Sequence, residues 1–339
     1  MACYYPVPGW VSQVHGGWTG NRRKAWLDRP MSRSCGGCIG CRLKLAGGWA
    51  IRCTHESSLS FDNAFITLTF DDKRLPVREN GQLPANVDLY YPDFQDFMKR
   101  LRDRTGADIR YMVCGEYGGT NPITKQEDGG LYRPHYHAIL FGFNFSDRKY
   151  FYRSKRGHVV CRSKLLEELW PYGNSEVGTV TAQSIAYVAR YVMKKVNGKL
   201  KDARYRWIDP HTGEIFVRRS EFAKYSLKPG IGAAWFEKFH ASVYPHDYVV
   251  FNGRKVRPPR YYDKLYERMT GVKIKREVTI STGDVVDFDI ETFSQAFEDI
   301  KANRLESAKK FLDDNTPERL YVREQVALAQ SSRLKRTLT

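Results

Sequence analysis

No apolar run in this chain approaches the ~18–20 residues that a helix needs to span a bilayer, so no membrane segment is expected. Met1–Trp10 lacks a basic start followed by a long apolar stretch, so no secretory signal is expected either. No internal repeat and no long low-complexity tract is present, which argues against a repeat architecture. Acidic residues are the scarcer charge: 38 Asp and Glu stand against 55 Lys and Arg, a net charge of +17. Such an excess attracts polyanions, nucleic acid first among them. Cysteine is sparse, seven in 339 residues, yet four of the seven lie within Cys35–Cys53. An odd number, so crowded, argues against a secreted disulfide framework and for a metal in a reducing compartment.

What remains is globular in character. Hydrophobic residues are 42% and charged residues 27%, and 339 residues suit one large or two modest domains that fold without staples. Aromatic residues reach 14%, including 21 tyrosines, and unpaired bases stack on such rings.

Periodicity sketches an α+β chain. Residues 1–58, rich in Gly, Trp, Arg and Cys, read as a loop-rich module. Phe65–Phe70 alternates as a strand. Phe94, Phe97, Met98 and Leu101 recur at helical spacing, with an end expected near Gly106. Ile109–Cys114 and Tyr132–Phe143 read as strands on either side of a polar turn region, Gly118–Gly130. Ser163–Trp170 and Gln183–Val196 read as helices. Residues 199–262 are basic and aromatic. Residues 273–289 suggest short strands around Ser281–Asp284, and 291–339 suggest helices, with Thr316 as a cap and Pro317 in the first turn. The expected division is a Cys-rich module (1–58), a core (59–198), a basic extension of it (199–265) and a mainly helical tail (266–339).

Three groups of residues carry chemistry. In a strand, His135 and His137 project to the same side and Tyr136 to the other, so the imidazoles form a ready pair of metal ligands. Glu116, where a strand breaks into a Gly-rich turn, offers a third ligand and leaves open positions for phosphate and water. On the Gln183–Val196 helix, Tyr187, Tyr191 and Lys194 share a face opposite Ile185, Val188, Val192 and Val196. A phenol with a pKa near ~10 becomes a useful nucleophile beside a cation. Structural histidines and two exposed tyrosines are the plain alternative. Third, Cys35, Cys38, Cys41 and Cys53 offer four thiolates that suit structural zinc, with His55 as an alternative fourth ligand. An iron–sulfur cluster lacks its usual fourth Cys. Cys3, Cys114 and Cys161 look isolated and inert.

Phe65-Ile-Thr-Leu-Thr-Phe70, Pro134-His-Tyr-His137 and Tyr187-Val-Ala-Arg-Tyr191-Val-Met-Lys194, in that order, resemble the three motifs of rolling-circle replication initiators, the HUH endonucleases. The tyrosines four apart resemble the two-tyrosine class that includes the gene A protein of icosahedral single-stranded DNA phages. The likeness is closer to the initiators of gokushovirus-type Microviridae, and also takes in Cys35–Arg42, Cys114–Gly118 and Pro258–Asp263. The resemblance implies an antiparallel HUH-type sheet with packed helices. It implies a Mg²⁺- or Mn²⁺-dependent endonuclease that nicks origin DNA in the double-stranded replicative form and stays on the 5′ end through a phosphotyrosine. The 3′-hydroxyl would prime synthesis, and the displaced single strand would be rejoined as a circle. Host helicase and polymerase would be partners, in the cytoplasm of a bacterial cell. Alternatives are a plasmid relaxase or single-strand transposase with the same site, or a non-catalytic zinc-containing nucleic-acid-binding protein.

Basic residues interleave with rings around and after the tyrosine helix. Arg190, Lys195, Arg204, Arg206, Trp207, Arg257 and Arg260 are the candidate DNA contacts, because lysine and arginine meet phosphates while rings stack on bases.

Overall fold

The computed structural model describes residues 3–14, 17–78, 83–119, 132–154, 157–191, 204–209, 212–279, 285–292, 295–310 and 315–333. Contacts divide the chain into one unit of Trp49–Trp235 with Thr337–Thr339 and another of Met1–Gly48 with Phe236–Arg336. This partition differs from the four-part division expected from sequence.

The N-terminal region is more regular than expected. Strands β1 (Val7–Ser12), β2 (Trp18–Thr19) and β3 (Ala25–Arg33) form an antiparallel sheet in the order β2–β1–β3. Helix α1 (Ile39–Ser57) follows, where loop was expected. Its buried positions Ile39, Ala46, Trp49, Ala50 and Cys53 keep a helical period. Gly47 and Gly48 interrupt that pattern, each at a propensity cost of about 1 kcal/mol, and so hide the helix from a propensity reading.

The larger unit then lays down β4 (Asn63–Thr69), α2 (Tyr91–Thr105), β5 (Arg110–Tyr117) and β6 (Pro134–Phe141). Next come β7 (Lys149–Arg153), β8 (Val159–Arg162), α3 (Lys164–Leu169), β9 (Ser175–Thr179) and α4 (Ala182–Arg190). A small hairpin, β10 (Arg206–Ile208) with β11 (Ile215–Val217), precedes β12 (Phe222–Tyr225). The second boundary falls within α5 (Ala233–Val243). The other unit continues with the hairpin β13 (Val249–Phe251) and β14 (Arg254–Val256), helix α6 (Arg260–Thr270), and the hairpin β15 (Val272–Thr279) and β16 (Val285–Thr292). Helices α7 (Gln295–Lys309) and α8 (Pro317–Arg333) close it, with Pro317 in the first position of α8.

Seven strands form one antiparallel sheet in the order β12–β5–β6–β4–β9–β8–β7. Alternation sorts their side chains. Ala64, Ile66, Leu68, Val113, Tyr136, Ala138, Leu140 and Val177 turn to one face and pack with Phe94, Phe97 and Leu101 of α2 and Leu166 of α3. Helix α2 stops where Gly106 takes a left-handed φ of 64° and its N–H bonds the Arg102 carbonyl, near the end expected from its sequence. The opposite face carries the polar residues of the same strands, and α4 packs there.

Candidate active site

The register of three neighbouring strands assembles the site. On β6, His135 lies between Glu116 of β5 and Thr69 of β4, and His137 lies between Cys114 and Thr67. Gly115 separates the two β5 residues; a Cβ there would come within 2.7 Å of the Phe222 ring, so the close approach of β12 requires glycine. Between the histidines, Tyr136 points into the core with no exposed surface. Its hydroxyl donates toward the Tyr90 carbonyl at 2.9 Å and Asp93 Oδ2 at 3.2 Å.

The imidazoles converge on one carboxylate oxygen. His135 Nε2 lies 3.2 Å and His137 Nε2 3.1 Å from Glu116 Oε1. The other ring nitrogens are anchored: His135 Nδ1 bonds the Arg133 carbonyl at 3.2 Å, and His137 Nδ1 pairs with Thr67 Oγ1 at 2.9 Å. A carbonyl only accepts, so the His135 proton sits on Nδ1 and leaves the Nε2 lone pair free toward Glu116. The Phe65 ring stacks on His137 at 5.7 Å between centroids. Burial pushes the Glu116 carboxyl upward, but hydrogen bonds and charge from His135 and His137 outweigh it and hold the group well below the carboxylate range. Two imidazole nitrogens and one carboxylate oxygen about 3 Å apart fit an ion bound at roughly 2.0–2.2 Å. The donor set suits Mn²⁺ or Mg²⁺.

Helix α4 delivers the tyrosines. Thr181 caps it, accepting from Ser184 N while the Ser184 hydroxyl bonds the Thr181 N–H. The Tyr187 hydroxyl donates to Glu116 Oε1 at 2.6 Å and lies 3.3 Å from His137 Nε2. The Tyr191 hydroxyl donates to the Tyr187 oxygen at 2.8 Å. Both phenols are buried rather than exposed. That burial, and then the Glu116 charge, raises both well above the ordinary tyrosine value, so neither ionises without nearby positive charge.

Residues 63–196, which carry all of these side chains, match the family model of the Replication-associated protein ORF2 type. The chain is 36% identical over 244 residues to Replication-associated protein VP4 of Bdellovibrio phage phiMH2K, covering 69% of this chain and 67% of that protein. It is 28% identical to Replication-associated protein ORF2 of Spiroplasma virus 4, over 69% of this chain and 67% of the other. The chain belongs to the replication-associated proteins of Microviridae phages. Replication-associated protein ORF4 of Chlamydia phage 1 is also 28% identical, over 69% of this chain and 53% of its own length. No solved structure matches. Membership gives this replication-associated protein a role in viral replication. No described helix is long and apolar enough to cross a membrane.

Other sequence-derived candidates fall elsewhere in the replication-associated protein. Lys194 and Lys195, with the end of the expected helix to Val196, lie outside the described residues. Arg190 sits beside the Tyr187 ring, 6.0 Å from its centroid. Arg204 is 3.8 Å from the buried Glu221, and Arg206 and Trp207 lie on β10, the latter against Phe216. Arg257 and Arg260 are exposed and belong to the unit that includes Phe236–Arg336, not to the unit of the histidines. Sequence reasoning missed Thr67 and Arg133, which aim the imidazoles. The alternating threonines of β4 were the signal for Thr67; nothing marked a backbone carbonyl.

The cysteine cluster requires a correction. Cys3, Cys35, Cys38 and Cys41 bring their sulfurs within 4.8 Å of one another. Cys3 was expected to be inert and Cys53 to be the fourth ligand. Instead the Cys53 thiol is wholly buried and donates to Met112 Sδ at 3.2 Å, and burial pushes it up to about 12, as suits a neutral thiol. His55, the other alternative, is buried and stacked on Trp235 at 3.6 Å. Cys35 N–H donates to Cys3 Sγ at 3.2 Å, Cys38 N–H to Cys35 Sγ at 3.3 Å, and Tyr4 and Cys41 N–H to Cys38 Sγ at 3.4 Å. Burial alone would raise the Cys38 thiol, but these bonds bring it down to about 7. Tetrahedral sulfurs at ~2.3 Å from one ion stand about 3.8 Å apart, and Cys35 and Cys41 are 4.0 Å apart. Tyr4, Ile39 and Leu320 pack around the cluster.

Proposed function

We propose that this replication-associated protein is a metal-dependent, HUH-type tyrosine endonuclease and strand-transfer enzyme for origin DNA. The observation that carries the reading is the convergence of His135, His137 and the Tyr187 hydroxyl on Glu116 Oε1, with Tyr191 next in line. His135, His137 and Glu116 would hold Mg²⁺ or Mn²⁺. The bound ion supplies positive charge that polarises the scissile phosphate and favours an ionised phenol.

The chain's own residues do the rest. Tyr187 oxygen bonds to phosphorus as the bond to the 3′ oxygen breaks, which leaves a 5′-phosphotyrosine and a 3′-hydroxyl. The phenolic proton leaves along the hydrogen bond to Glu116 Oε1, and the departing 3′ oxygen gains one in turn. One phosphoester replaces another, so no nucleotide cofactor is needed. Tyr191 stands one hydroxyl behind, suited to the second transfer that closes the displaced strand. Lys194 would steady developing charge. Cys3, Cys35, Cys38 and Cys41 would hold a structural Zn²⁺. Origin DNA, as replicative form and as viral single strand, is the substrate, and host helicase and polymerase would extend the primed 3′ end in the bacterial cytoplasm.

The test is incubation of the protein with labelled single-stranded origin fragments and Mn²⁺, followed by a denaturing gel and peptide mapping. A metal-dependent adduct at Tyr187 is expected. Cleavage without any covalent adduct would sink the tyrosine mechanism.

A further inference from the structure

The β7–β8 hairpin was not among the sequence-derived DNA contacts, yet its composition is unusual. From Arg148 to Lys164 there are seven Lys or Arg and no Asp or Glu, around the aromatic run Tyr150-Phe151-Tyr152. It forms the edge of the large sheet, at the end of the strand order β6–β4–β9–β8–β7.

Register decides which of its side chains share the site's face. His137 is opposite Thr67, and Thr67 is opposite Glu176 of β9. The Tyr152 hydroxyl donates to Glu176 at 3.3 Å, and the Arg162 guanidinium lowers the Glu176 carboxyl against the rise that burial causes. Lys149 is opposite Arg162. A row therefore crosses the sheet from the imidazoles through Thr67, Glu176 and Arg162 to Lys149. It is four strand spacings long, roughly 19 Å, or a few nucleotides of extended strand.

Phe151 joins this row through a bulge. The register shifts between Tyr150 and Tyr152, so Phe151 is the extra residue. Its ring lies 4.6 Å from the Arg162 guanidinium and 5.3 Å from the Tyr152 ring, on the face of the site. It is nevertheless 51% exposed, with one side open. Tyr150, opposite Cys161, turns to the other face. Arg162 also meets Glu167 at 3.4 Å, which fixes the guanidinium under the ring. Among the described residues Lys149 has no carboxylate partner.

We propose that this edge binds single-stranded DNA: Phe151 stacks on an unpaired base, and Lys149 and Arg162 take neighbouring phosphates of the strand that reaches Glu116, His135 and His137. An open ring beside fixed positive charge is how proteins hold unpaired strands without reading their sequence. The continuity with the site rests on the nicking function proposed above; the binding itself does not.

The experiment measures fluorescence anisotropy of a labelled oligothymidine with the full chain. Phe151→Ala should weaken binding roughly 5- to 100-fold, Phe151→Trp should restore it, and Tyr150→Ala should leave it unchanged. Lys149→Ala should flatten the dependence of log affinity on log salt by about 0.7. Melting curves of each variant exclude unfolding, which an exposed ring makes a small risk. Unchanged affinity in Phe151→Ala, or an equal loss in Tyr150→Ala, would overturn the proposal. Adduct formation with Mn²⁺, run in parallel, keeps the two readings apart: an adduct in wild type with no binding loss in Phe151→Ala removes only the edge site. Binding loss with no wild-type adduct removes only the nicking.

Discussion

The Tyr187 hydroxyl and Glu116 Oε1 are 2.6 Å apart, and that same carboxylate oxygen faces both imidazoles. Tyr191 reaches this centre only through Tyr187, at 2.8 Å. The two phenols therefore stand in series rather than side by side, although the helix presents them on one stripe.

The series order separates the two tyrosine variants. Tyr187→Phe should lower first-adduct yield on a single-stranded origin oligonucleotide roughly a hundredfold, since Tyr191 would have to move to reach the phosphate. Tyr191→Phe should keep the first cleavage and fail to release closed single-stranded circles. The double variant should form no adduct. Adduct persisting in the double variant would place the nucleophile elsewhere.

His135→Ala and His137→Ala should abolish nicking while duplex affinity stays close to wild type, because phosphate contacts elsewhere supply affinity. Thr67→Val probes the anchoring of His137 Nδ1. Its manganese affinity, read by calorimetry, should fall about 10- to 100-fold with little change in melting temperature. Full metal affinity in Thr67→Val would mean that the hydroxyl does not orient the ring.

Elemental analysis should find about one zinc per chain. Cys3→Ser should lose it and melt earlier, whereas Cys53→Ala should keep it. The reverse pattern would restore Cys53 to the ligand set. A metal-free wild type with four titrating thiols would remove the zinc altogether.

His55 provides a pH test independent of metal. Burial lowers it from the usual 6.5 to about 4 in the folded chain. The unfolded chain then binds the extra proton first as pH falls, so stability is complete above pH 6.5 and drains away toward pH 4. The loss is on the order of 3 kcal/mol across that window. Melting temperatures between pH 7 and pH 4 should fall less steeply in His55→Phe, which keeps a ring against Trp235. An identical slope in the two proteins would show that His55 is not the group responsible.

Where period and burial agree, the sequence was legible. Alternation in Phe65–Phe70 and the His-x-His pair fixed β4, β6 and the face of the histidines, because one-sided burial leaves only one register. The spacing of Phe94, Phe97, Met98 and Leu101 located α2, and Gly106 its end. Long-range convergence was not legible. Cys3 is 32 residues from Cys35, and no local pattern ties them. Helix α1 was masked by Gly47-Gly48, and the edge hairpin by the weak signal of short, half-exposed strands. Glu116 could be suspected from its turn, but only the pairing of β5 with β6 sets it opposite His135.

Tyr136 has a consequence beyond its own burial. Wedged between the imidazoles but turned away from them, it rivets β6 to the start of α2 through the Tyr90 carbonyl and Asp93, itself clasped by Arg78 at 2.6 and 2.7 Å. A one-residue slip of β6 would thrust this phenol into the catalytic cleft and drown both histidines in hydrocarbon. The side chain that never meets DNA thus acts as the keel of the centre, and the filler between the two histidines is under as tight a constraint as the histidines themselves.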